Sequence, residues 1–205
     1  MNFQELIPTF QSEPNESLKL KTWLFETIQP YVRGRILEMN SGQHSLASFF
    51  VENNIPVHIS ETNREARHKV REKYAEIDDV RSIQKIEFSH PNFENLYTEM
   101  HSVFRMIISL NLTKTDPFSK IELHNIKYVL KQNGYLVVIV PSFTTTYGEI
   151  DLTFDDWKKY DLRSLKQFLS GFVLLRAVSF SVITDIKDQF ADHFGPSILT
   201  IARKS

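Results

Sequence analysis

The chain has 205 residues, 41% of them hydrophobic and 16 of them phenylalanine, which is enough for the core of one domain and excludes intrinsic disorder. Its 24 basic and 25 acidic side chains leave a net charge of -1, which argues against a general nucleic-acid binder but does not exclude a local basic patch. Cysteine is absent, so a disulfide framework and a thiolate metal site are both impossible.

Residues 1–10 lack a basic stretch followed by an apolar one, so no signal peptide is expected. No apolar run approaches the roughly 18 residues of a membrane span, and a cytoplasmic protein without a span is expected. Residues 1–16 are polar, with Pro8 and Pro14, and read as an N-terminal arm; residues 17–205 read as the domain. From Ser17, the residues Leu20, Trp23, Leu24, Thr27 and Ile28 recur at helical spacing, and Pro30 ends that run. Residues 35–39 form a short strand leading into a turn at 40–44, and Leu46, Phe49 and Phe50 mark one face of a helix.

Residues 56–60 are a second strand. Thr62 and Glu65 have the spacing of a capping box, and Ala66, Val70 and Tyr74 make the inward stripe of the helix that follows. Residues 82–86 alternate as a strand does, and residues 104–110 are the apolar run of a strand buried on both faces. A helix is predicted over about residues 118–130, a turn at Asn133 and Gly134, and a strong strand at 135–140. Residues 142–161 are aromatic and polar with no clear period. A further helix carries Leu162, Leu165, Phe168 and Leu169, and strands are expected at 172–182 and 197–201. Strand and helix alternate over residues 35–140, which implies a doubly wound, mainly parallel α/β sheet with helices on both faces. The last two strands are joined without a convincing helix and are expected to pair antiparallel.

The strand Ile36 to Met39, with Glu38 in it and a turn around Gly42 after it, resembles the first motif of class I S-adenosylmethionine-dependent methyltransferases. Over roughly residues 20–204, further matches follow in order. Glu61 stands after the second strand, Glu87 at the end of the third and Asn111 at the end of the fourth, and residues 130–134 resemble the turn before the fifth. Val140, Pro141, Tyr147, Gly148, Asp151, Trp157, Lys158, Lys159, Tyr160 and Leu165 are similar to one branch of that family, sometimes found beside glycosyltransferase domains. Residues 195–199 are similar to that branch's last strand.

The resemblance implies a Rossmann-like fold with S-adenosylmethionine as cofactor. It places Glu38, Asn40, Gly42, His44, Glu61, Glu87 and Asn111 around that cofactor. Tyr147, Lys158, Lys159 and Tyr160 are the candidates for contact with the substrate, a small molecule or glycan; no general base and no metal ligand is implied. The chain departs from the pattern where Asn40 and His44 replace glycines, where Arg105 precedes the fourth strand, where Lys114 and Thr115 replace a Glu-His pair and where Asp156 replaces a His. His44 sets an imidazole where the cofactor's methionine end would lie. Two functions follow: a methyltransferase, weak if the ring blocks the site, or a non-catalytic descendant that keeps the fold as a binding or interaction protein.

Other features have simpler readings. The seven histidines show no metal-ligand spacing, and the basic stretch 64–73 interleaves acids as a solvated helix face does. The turn at 40–44 is not a dinucleotide fingerprint, which leaves a dehydrogenase as the poorest choice, and no nucleic-acid partner is expected.

Overall fold

A computed structural model describes residues 9–11, 14–39, 45–110, 119–141, 162–183 and 197–205. Eight strands form one sheet: β1 (Thr9–Gln11), β2 (Ile36–Met39), β3 (Val57–Ser60), β4 (Val80–Gln84), β5 (Phe104–Ser109), β6 (Leu130–Pro141), β7 (Phe172–Ile183) and β8 (Ser197–Lys204). Their spatial order is β1-β7-β8-β6-β5-β2-β3-β4. The pairs β2–β3, β3–β4, β2–β5 and β5–β6 are parallel, whereas β8 runs antiparallel to both of its neighbours, β6 and β7. The expected antiparallel pairing of the last two strands is present, with β8 inserted between β6 and β7. Residues 135–140 lie in the sheet interior, between β5 and β8.

Helices cover both faces. On one, Leu24, Phe25 and Ile28 of α1 (Pro14–Ile28) and Phe50 of α2 (Ala47–Glu52) pack on Ile36, Met106, Ile108, Val137 and Ile139. Phe25 meets Phe49 and Phe50 with ring centroids 5.6 and 5.5 Å away. Tyr74 and Val70 of α3 (Arg64–Tyr74) continue this layer over Ile59. On the other face, Phe93 of α4 (Phe93–Leu96), Ile126 and Val129 of α5 (Lys120–Val129) and Leu165 of α6 (Leu162–Phe168) pack on Leu37, Ile107, Leu136 and Val138. Residues of one strand alternate between these layers because side chains in a strand point alternately to either face, so β2, β5 and β6 need apolar residues at nearly every position.

The structure differs from the sequence reading at several boundaries. Thr9–Gln11 add a parallel edge strand to β7, and α1 begins at Pro14, so part of the expected N-terminal arm belongs to the sheet and the first helix. The cap of α3 is Asn63, not Thr62. The extended backbone of Asn63 lets its side chain accept from Ala66 N–H, which puts Ala66 at the third helical position and Glu65 at the second, out of register for the expected box. The described strand β4 covers 80–84 rather than 82–86, and α5 ends at Val129 where β6 begins. Asn133 takes a φ of 58°, and a Cβ on Gly134 would stand 2.8 Å from the carbonyl oxygen of Lys131. The turn expected there is thus an irregularity inside β6, needed to bring Tyr135 level with Met106. Among the described residues, no helix is long and apolar enough to cross a membrane.

Candidate cofactor site at the carboxyl edge of the sheet

Strand register defines the site. Met39 is level with Ser60 on β3 and with Ser109 on β5, and Ser60 is level with Gln84 on β4. The chain leaves β2 towards β3 and β4, then returns to the other side of β2 as β5. The carboxyl ends of β2 and β5 therefore border the point where the winding reverses, which is where open α/β sheets leave a crevice for a ligand.

Glu38, one residue before the end of β2, is fully buried. Its carboxylate accepts the Leu46 N–H at 2.6 Å and the Ser45 hydroxyl at 2.9 Å, and Ser45 Oγ in turn accepts the Ala47 N–H at 3.1 Å. A buried charge is tolerated because it meets donors of the first turn of α2, where the free N–H groups and the helix dipole favour an anion. Glu38 thus fastens the start of α2 to the end of β2. Lys21 of α1 feels this carboxylate. Burial and then the nearby Lys73 pull the Lys21 ammonium below the ordinary lysine value, with Glu38 acting in opposition.

Glu61, immediately after β3, is 6% exposed. Its Oε1 accepts the Asn63 N–H at 2.9 Å, and no described residue donates to its Oε2. Arg67 holds this turn: its Nη1 lies 2.7, 3.1 and 3.4 Å from the carbonyl oxygens of Glu61, Thr62 and Asn63. On the sheet side, Glu61 N–H donates to the Gln84 carbonyl at 3.0 Å. The acid is therefore a rigid acceptor, aimed by its own backbone.

Glu87 lies three residues beyond β4, half-buried, with its carboxylate taken by Lys85 Nζ at 3.0 Å and by the Ser89 hydroxyl at 2.9 Å. Behind it, Ile86 N–H donates to the buried Ser60 hydroxyl at 3.3 Å. Of the residues expected around a cofactor, the structure places Glu38 and Glu61 on adjacent strand ends and sets Glu87 further out, on the β4 side. Asn40, Gly42, His44 and Asn111 lie outside the described residues, as do Tyr147, Lys158, Lys159 and Tyr160. Sequence reasoning passed over Ser45, Asn63 and Arg67. Asn63 and Arg67 stand two and six positions after Glu61, with an Asx turn and one helical turn between them, but that spacing points to a clamp only once Glu61 is known to end a strand.

Similarity to solved structures decides the fold. A S-adenosylmethionine-dependent methyltransferase from Methanosarcina mazei superimposes with a TM-score of 0.63 at 14% identity, over 87% of this chain and 96% of that one. A provisionally assigned sarcosine dimethylglycine methyltransferase from Galdieria sulphuraria gives 0.66 at 13% identity, over 93% and 87%. The CurJ carbon methyltransferase gives 0.60 at 14% identity over 92% of this chain, which spans 54% of that longer one. This is the class I methyltransferase fold. No family profile matches the sequence, and no curated protein matches it either. In this fold Glu38 lies near the end of β2 and Glu61 immediately after β3.

Proposed function

We propose that the protein binds S-adenosylmethionine at the carboxyl ends of β2, β3 and β5 and methylates a small-molecule or glycan-type acceptor. The observation that supports this is Glu61: a buried carboxylate in a turn held by Arg67, with one oxygen accepting the Asn63 N–H and the other without a described donor. Such a group suits a pair of vicinal hydroxyls, as on a ribose, because a carboxylate oxygen accepts charge-assisted hydrogen bonds and burial strengthens them.

When bound, the cofactor supplies an electrophilic methyl group on a sulfonium. The chain's residues position it. Glu61 would receive the ribose hydroxyls, and Glu38 would hold α2 and the end of β2 in register for the turn between them. The acceptor would meet Tyr147, Lys158, Lys159 and Tyr160, over the same edge of the sheet. Orientation alone is a large share of a bimolecular methyl transfer, so no general base is needed for this reading.

The test is calorimetric titration with S-adenosylmethionine and S-adenosylhomocysteine. Hydrogen bonds to a charged acceptor contribute about 1.5–3 kcal/mol, so Glu61→Ala should weaken binding roughly ten- to a hundredfold. Unchanged affinity would place the adenosine elsewhere. No binding by the wild type, nor by a variant with Asn40→Gly and His44→Gly, would overturn the proposal in favour of an interaction protein.

A further inference from the structure

The edge of the sheet opposite this site collects positive charge. Arg33 and Arg35 precede β2, Arg105 lies at the start of β5, Lys131 at the start of β6 and Arg203 at the end of β8, which runs antiparallel and so finishes on the same edge. β2, β5, β6 and β8 are consecutive in the sheet, so these cations span about 15 Å at the usual strand spacing of about 4.8 Å.

Contacts tie the row together. Arg105 N–H donates to the Arg35 carbonyl at 2.8 Å. A Cβ on Gly34 would stand 2.9 Å from Arg105 Cβ, and Arg105 Nη1 donates to the Gln132 carbonyl at 3.0 Å. The Arg33 guanidinium lies 4.8 Å from the centre of the Tyr135 ring and donates to its hydroxyl; Tyr135 pairs with Arg203 across the strands.

None of the five cations forms an ion pair with a described carboxylate, and the buried Nε of Arg203 has no acceptor among the described residues. One titratable group beside the row feels one of its cations: His58 is held below the ordinary histidine value by burial first, and then by Arg35 and Arg81. Crowding like charges is costly, and this chain has 25 acids with which it could have relieved the crowding. A half-buried aromatic ring lies beside the cations: that of Tyr31, whose centroid is 5.5 Å from that of Tyr135.

We propose that this amino edge of the sheet, from β2 to β8, is a binding surface for single-stranded nucleic acid. A row of mostly arginine side chains, without an ion pair among the described residues, matches a phosphodiester backbone, and the half-exposed ring of Tyr31 offers a face on which a base stacks. The near-zero net charge conceals the surface, because acids elsewhere balance it. The surface is separate from the cofactor site, and the proposal holds whether or not that site binds S-adenosylmethionine.

The experiment is fluorescence anisotropy of the whole chain with labelled single-stranded RNA and DNA of roughly twelve nucleotides, over a series of salt concentrations. Arg33→Gln, Arg35→Gln and Lys131→Gln combined should weaken binding at least tenfold. They should also reduce the salt slope by about 2, since each phosphate contact on a single strand contributes roughly 0.7. A control with the same charge change, Arg64→Gln, Lys69→Gln and Lys166→Gln, removes exposed cations outside this row and should bind as the wild type does. Thermal unfolding of both variants establishes that they fold. Preference for RNA over DNA, or the reverse, identifies which strand is read, and either supports the proposal. Three results overturn it: equal losses in the two variants, no binding by the folded wild type, or poly-glutamate or anionic vesicles binding at this row as tightly as the oligonucleotides.

Discussion

Glu38 and Glu61 end neighbouring strands, yet their carboxylates face different surroundings. Glu38 spends both oxygens on the start of α2, and Glu61 keeps one without a described donor. Arg67 matters because it grips the backbone that aims Glu61. Arg67→Met should therefore weaken S-adenosylhomocysteine binding by roughly tenfold, about 1.4 kcal/mol, while the same replacement in a Glu61→Ala background should change little. A double-mutant cycle by titration checks this; additive losses would show that Arg67 does not act through Glu61. A second residue is buried at a cost. Thr200 on β8 is fully buried, and its hydroxyl has no hydrogen-bond partner among the described residues. Thr200→Val keeps the shape and removes the orphan group, so the urea midpoint should rise, with a gain of about 1 kcal/mol. Both residues look ordinary in the sequence, because satisfaction of a polar group depends on neighbours far away in the chain.

At the scale of elements, the helix stripes were legible. Leu20, Leu24, Thr27 and Ile28 of α1 are all buried, as are Leu123, Ile126 and Val129 of α5, since a period of 3.6 residues reports directly which side faces the core. Caps were less legible. The spacing of Thr62 and Glu65 points to Thr62, and only the backbone angles show that Asn63 is the cap. The capping box of α5, Ser119 with Glu122, closes at 3.1 and 2.7 Å. Asn63→Ala and Ser119→Ala should each cost about 1 kcal/mol, and Asn63→Gly only a few tenths, measured by chemical denaturation. No loss in either variant of Asn63 would mean that its side-chain bond to Ala66 is not what stabilises α3.

One sheet carries acids at one edge and a row of cations at the other, and a histidine near the basic edge makes stability depend on pH. His58 on β3 is half-buried, Nδ1 lies 2.9 Å from Ser82 Oγ, and its pKa is lowered from 6.5 by burial and then by Arg35 and Arg81. A lowered pKa in the folded state means that the unfolded chain binds the proton first. Stability is therefore full above about pH 6.5 and falls as the pH drops through the folded value. Urea midpoints taken from about pH 7.5 down to about pH 5.5 should decline. His58→Gln should flatten that decline, and an unchanged slope would assign it to other groups.

The sequence by itself determined the order of strands β2 to β8 and of the helices other than α4, the parallel core and the acids at the strand ends. These follow from local patterns: apolar runs buried on two faces, helical stripes, and the position of a residue relative to the end of its own strand. Only the tertiary structure decided that β8 enters between β6 and β7, that α2 consumes the carboxylate of Glu38, and that Arg33, Arg35, Arg105, Lys131 and Arg203 share one edge. Each of these depends on which strands are neighbours and in what register. That is settled by the sum of contacts between residues distant in the chain, and it leaves no periodic trace in the sequence.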